Sequence, residues 1–135
     1  MAGYSGTPLV KKLGIHEGDL VILVNPPSNY FKLIGSLPNG AIIVDGKKSN
    51  VDFIHLFVKN AAELEEQLPA LRKQIKPNGI IWVSWYKKSS AIQTDVTEDT
   101  IRKFALPIGL VDIKVCAVDE VWSGLKLVVR KENRK

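Results

Sequence analysis

The chain has 135 residues, enough for one domain and too few for two, and its 45% apolar and 24% charged residues are the composition of a globular protein. No apolar run approaches the roughly 18–20 residues that span a bilayer, and the single cysteine, Cys116, has no partner in the chain for a disulfide. Of the net charge of +5, +3 lies in residues 130–135, so the body is only mildly basic.

Met1-Ala2-Gly3-Tyr4-Ser5-Gly6 has no basic region leading into an apolar core, so no signal peptide and a cytoplasmic location are expected. Thr7 then reads as an N-cap, Pro8 as a first helical position and Gly14 as a stop, with Leu9, Val10 and Leu13 as the buried stripe of a short helix. His16 lies in an exposed turn. Leu20–Val24 is a buried strand by its unbroken apolar run. It ends at Asn25-Pro26-Pro27-Ser28-Asn29-Tyr30, where two prolines forbid further central pairing.

A helix over Tyr30–Leu37, capped by Ser28 or Asn29, leads through Pro38-Asn39-Gly40 into a short strand, Ala41–Val44. The six residues from Asp45 to Asn50 reach at most about 20 Å. A parallel return into the strand Val51–Val58 is favoured there over an Asp-Gly hairpin. Asn60 and Glu63 form a capping-box pattern for a helix whose face is Leu64, Leu68, Leu71 and Ile75. Pro69 inside it is expected to kink or split the helix.

Lys76-Pro77-Asn78-Gly79 reads as a turn, and Ile80–Trp85, apolar on both faces, as a central parallel strand. After the polar loop Lys87–Thr94, Asp95 or Thr97 caps another helix, closed by Pro107-Ile108-Gly109. Leu110–Val118 and Leu125–Arg130 are joined by a short loop and therefore form an antiparallel pair. The expected fold is a three-layer, Rossmann-like α/β domain over residues 1–130. It has a mostly parallel sheet of about six strands, a C-terminal hairpin, and a solvated basic tail at 131–135.

The order of strand, helix, Lys-Pro-Asn-Gly turn, strand, helix and terminal hairpin over residues 51–130 resembles the second half of class I S-adenosylmethionine-dependent methyltransferases. Asp52 stands where that family keeps an acid near the start of its fourth strand, and Asp45 where it keeps a ribose-binding acid. The resemblance implies a reduced methyltransferase-like fold. It also implies an acidic, Gly-rich turn after the first strand, where backbone groups approach the cofactor. Here that turn is Asn25-Pro26-Pro27-Ser28-Asn29-Tyr30, without glycine. No cofactor is therefore expected, and a non-catalytic or small-ligand-binding role is favoured. Gly3-Tyr4-Ser5-Gly6-Thr7-Pro8-Leu9, Lys11-Lys12-Leu13-Gly14-Ile15 and Val115–Lys126 are also similar to a family of short bacterial proteins described as a domain of unknown function, which implies no activity.

Ligands of open α/β sheets bind beyond the carboxyl ends of the strands. That rule selects Asn25 and Tyr30, Asp45, Asn60, and Trp85 with Lys87 and Lys88. Together they would suit a small anionic or nucleotide-like ligand, bound or turned over by a small enzyme. The bland alternative packs Trp85 on the prolines and leaves the lysines to solvent. Asp119, Glu120 and Trp122 are candidates for a partner contact, since an exposed tryptophan in a hairpin loop suits an interface. A homodimer closed through that loop is the corresponding expectation, with the edge of the last strand as another pairing surface. The methyltransferase-like order instead implies that the last strand inserts beside its hairpin partner and leaves Leu110–Val118 at the edge, where Lys114 discourages open-ended pairing.

His16 and His55 offer no metal spacing, and His55, mid-strand, reads as a hydrogen-bonded core histidine. Cys116 reads as an inert small hydrophobe. The lysine pairs 11–12, 47–48 and 87–88 are scattered, and a nucleic-acid footprint would require them to converge on one face. Nucleic acid is accordingly not a favoured partner, and a nucleic-acid adaptor stands only as an alternative function.

Overall fold

The computed structural model describes residues 8–134, so the Thr7 cap lies outside the described residues. Six strands form one sheet in the order β2-β1-β3-β4-β6-β5. They are β1 (Leu20–Val24), β2 (Ile42–Ile43), β3 (Val51–Phe57), β4 (Ile75–Tyr86), β5 (Leu110–Ala117) and β6 (Trp122–Val129). The first four are mutually parallel, and β6 runs antiparallel to both β4 and β5. The connection after β2 is thus a parallel return, which carries the chain past β1 to β3. Gln74 of the following helix fastens it by donating to the Gly46 and Lys48 carbonyls.

Four helices lie over the two faces: α1 (Leu9–Leu13), α2 (Tyr30–Ile34), α3 (Ala61–Gln74) and α4 (Glu98–Ala105). α3 and α4 cover one face, packing Leu64, Leu68, Leu71 and Ile101 on Ile54, Leu56, Ile81, Val83 and Leu125. The Asn60 side chain accepts from the Glu63 N–H, and the Glu63 carboxylate accepts from the Lys59 N–H, the reciprocal cap that the residue pattern indicates. Thr97 and Thr100 close a second capping box at α4. The other face, built around Phe53, Phe57 and Trp82, is covered by α1 and α2, of five residues each.

Three expectations are corrected. Pro69 does not split α3, which is continuous, and it lies on the helix's solvent side, where water can satisfy the carbonyl that proline leaves unpaired. Lys76-Pro77-Asn78-Gly79 is not a turn between elements but a wide bulge inside β4. Ile75 pairs with Val51 and Ile80 with Phe53, so five steps on β4 match two on β3. Gly79 is required there, because a Cβ would lie 2.6 Å from Ile75 Cγ1 and 3.0 Å from the Asp52 carbonyl. The last strand, finally, has no free edge: β6 is hydrogen-bonded on both sides, and β5 is the edge, as the methyltransferase-like order implies.

Candidate functional site

Beneath the strand ends lies a buried polar chain. The Tyr30 hydroxyl meets His55 Nδ1 at 2.9 Å, and His55 Nε2 meets the Ser84 hydroxyl at 2.7 Å. His55 and Ser84 are fully buried and Tyr30 is 1% exposed. Burial holds the imidazole neutral, its pKa depressed to about 3, and pushes the Tyr30 phenol up. His55 is therefore the hydrogen-bonded core histidine its position suggests. Tyr30 is a core residue as well, which removes it from the candidate ligand contacts. Its position just after a turn gave no sign of that, because its partner lies 25 residues away on β3.

Above this chain, His55 stacks on Phe57 at 4.2 Å and Phe57 meets the edge of Trp122 at 5.0 Å. Trp122 in turn stacks on Tyr86 at 4.4 Å. Trp122 is only 7% exposed, so the expectation of an exposed hairpin tryptophan is corrected. The Asp119 carboxylate accepts from the Val121 and Trp122 N–H groups and turns the indole inward. Asp119 is a turn-former; Glu120 is exposed and no contact joins it to that carboxylate.

The Tyr86–Trp122 stack is one wall of a cleft of about 440 Å³, with Asn25, Pro26 and Pro27 opposite and Lys59 and Glu63 at the rim. The indole N–H of Trp122 has no acceptor among the described residues. No fully buried side-chain nitrogen among the described residues lacks a partner, so this donor opens on solvent. The Asn25 amide makes no hydrogen bond with the described residues, and Asn25 is held at φ 54, a left-handed conformation that asparagine tolerates better than most. The Lys59 ammonium has no carboxylate within ion-pair distance among the described residues.

The other candidates do not join this cleft. Trp85, 8% exposed, points to the α3–α4 side of the sheet and packs in that core, away from the prolines. With Lys87 and Lys88 it borders a separate cleft of about 650 Å³ against the start of α4. Asp45 accepts from the Lys47 N–H beyond β2, three strand positions from β4, or about 14 Å across the sheet. Asp45, Trp85, Lys87 and Lys88 thus do not converge. Asn60 is engaged as the α3 cap. Phe57, Lys59, Glu63 and Tyr86 escaped sequence reasoning. Strict alternation from Trp85 could have placed Tyr86 on the opposite face, but not what it stacks on.

No protein-family model matches the chain and no curated protein matches it. Solved structures do. An S-adenosylmethionine-dependent methyltransferase from Aquifex aeolicus superposes with a TM-score of 0.58 at 15% identity, over 90% of this chain and 88% of that one. Precorrin-6y C5,15-methyltransferase from Geobacter metallireducens gives 0.59 at 13% identity, over 87% and 83%. A DhpI–SAH complex gives 0.62 at 7% identity, over 91% and 81%. At such identities the likeness is one of fold, and the fold is the Rossmann-like methyltransferase one. The residues after β1 do not fit the cofactor that this fold implies. Pro26 and Pro27 have no N–H, the Tyr30 N–H is spent on the Pro27 carbonyl at 3.0 Å, and α2 is a helix of five residues.

Proposed function

We propose that this chain is a reduced methyltransferase-like domain that binds a small, planar, anionic ligand of nucleotide type and transfers no methyl group. The observation that carries the reading is the Asn25-Pro26-Pro27 turn facing the Tyr86–Trp122 stack. It replaces a backbone cradle for a cofactor with an aromatic wall, an unengaged amide and an indole donor. A cleft of about 440 Å³ is within the range of small-molecule sites. Lys59 at its rim supplies a charge for an anionic group.

Calorimetry with adenosine monophosphate and with S-adenosylmethionine, beside native mass spectrometry of the purified protein, tests both halves. The expected result is nucleotide binding weakened about tenfold or more by Tyr86→Ala, the order of one lost stacking contact. Tight S-adenosylmethionine binding with methyl transfer to any acceptor would refute the non-catalytic half. Absence of any nucleotide-class or co-purifying ligand would refute the other.

A further inference from the structure

The lysines scattered along the sequence do not stay scattered. Lys114 on β5 and Lys126 on β6 are direct cross-strand partners. Both project to the face opposite α3 and α4, as does Cys116, one alternation further along β5. Lys12, at the end of α1, and Lys87, just beyond β4, lie close enough to act electrostatically on the Cys116 thiol together with Lys114. Two of the three sequence pairs, 11–12 and 87–88, thus each send a lysine to one patch, whereas Lys47 belongs to a cleft across the sheet.

Lys87, Lys114 and Lys126 form no ion pair among the described residues. Asp112, the acid on β5, is held on the other face by Arg102 at 3.1 Å. Asp119 is committed to the hairpin turn. Like charges placed directly opposite one another destabilise a sheet. Lys126 registers this, its pKa lowered by partial burial and then by Lys114. The Cys116 thiol beside them is raised by burial and pulled back only in part by Lys12, Lys114 and Lys87, so Cys116 is not an activated nucleophile.

We propose that the β5–β6 face around Lys114 and Lys126, with Lys12 and Lys87 at its margin, binds the phosphate backbone of nucleic acid without reading its sequence. Lysines on flexible stems act as point charges suited to phosphates. Val111 and Val128 accompany Lys114 and Lys126 on this face, the neighbouring Trp82 is fully buried, and the aromatics further along it, Tyr86 and Trp122, are stacked on each other, so no base-stacking platform lies between the two lysines. The patch lies on a flat sheet, not on the amphipathic helix that inserts into a lipid surface. It is independent of the ligand cleft.

Fluorescence anisotropy of a labelled oligonucleotide of about 20 nucleotides, titrated with the full chain between about 50 and 200 mM salt, is the test. Three phosphate contacts, from Lys87, Lys114 and Lys126, on a single strand give a log–log salt slope near −2, roughly a 20-fold loss over that range. Lys114→Gln/Lys126→Gln should flatten the slope by about 1.4 and weaken binding at least tenfold at low salt. Its melting temperature should be unchanged or higher, since a repulsion is removed. Lys87→Gln, outside the strands, should act in the same direction less strongly. Lys47→Gln/Lys48→Gln and the tail variant Lys131→Gln/Lys135→Gln should leave the slope alone. Unaltered binding by the β5–β6 variant, loss of binding in the tail variant, or no binding at low salt would overturn the proposal. Binding to phosphatidylserine vesicles without binding to the oligonucleotide would also overturn it.

Discussion

The two faces of the sheet are held by different physics. Under α3 and α4 the contacts are aliphatic, made by helices of 14 and 8 residues whose apolar stripes can be read from their period. The opposite face has two helices of five residues each, too short to be stable alone or to bury much area. There, directional contacts take over. The Trp82 indole donates to the Leu13 carbonyl at 2.6 Å, His55 bridges Tyr30 and Ser84, and an aromatic series runs from Tyr30 to Tyr86. The thinly covered face is also the one that carries the aromatic wall of the cleft and the unpaired lysines. A face that hides little behind helices has room for a site.

This contrast can be broken most forcefully at Trp82. Trp82→Ala should cost about 3–5 kcal/mol in urea denaturation, through a large cavity and the stranded Leu13 carbonyl. Trp82→Phe separates the two effects, since it keeps most of the volume but still loses the hydrogen bond. If both variants cost the same as Leu68→Phe on the other face, directional bonding does not distinguish the faces.

Acid should act next, and through the polar face first. His55 is neutral when folded and binds a proton when unfolded, so stability is full above about pH 6.5 and falls as the pH drops toward about 3. The loss over that window is roughly a few kcal/mol. Asp52 adds to it lower down. Its burial raises the pKa, but the Leu20 N–H and Lys76, 2.9 Å away, outweigh this and lower it. Its contribution is present above about pH 4 and lost as the carboxylate protonates. A flat stability profile between pH 6.5 and 4 in His55→Asn, beside a sloping one in the parent chain, would assign the upper part to His55.

Ser84→Ala leaves His55 Nε2 without a partner and should cost about 1–3 kcal/mol, a large penalty for one oxygen atom. The smallest expected effect is at the uncovered end of the same face. Lys114→Gln should stabilise by about 0.2–1 kcal/mol at low salt and by almost nothing near 1 M, because the relieved Lys114–Lys126 repulsion is screened. A salt-independent gain would trace the effect to propensity and not to charge.

The inward turn of the hairpin tryptophan follows from the same division. Trp122 belongs to the aromatic series, and β5, the true edge, carries a bulge between Asp112 and Lys114 that leaves Ile113 exposed. Bulges and lysines both discourage edge-to-edge pairing.

What the amino-acid order determined by itself was everything governed by neighbours in the chain. Asn60 with Glu63, Thr97, Gly14 and Gly109 mark helix ends through groups no more than about four residues apart. Apolar runs mark β1, β3 and the core of β4, and the short loop after β5 forces an antiparallel hairpin. These suffice for the fold class; they favoured a parallel return after β2 over a hairpin, which the strand order then decided. Only the tertiary structure decided what depended on register between distant strands. Tyr30 meets His55 across 25 residues, and Trp82 meets Leu13 across 69. Trp122 turned inward because Tyr86 and Phe57 were there to receive it. Lys114 came to face Lys126 because one bulge set the pairing of β5 with β6. Periodicity states which face of its own strand a side chain takes. Which neighbour waits there is set by strand order and register, which local periodicity does not encode.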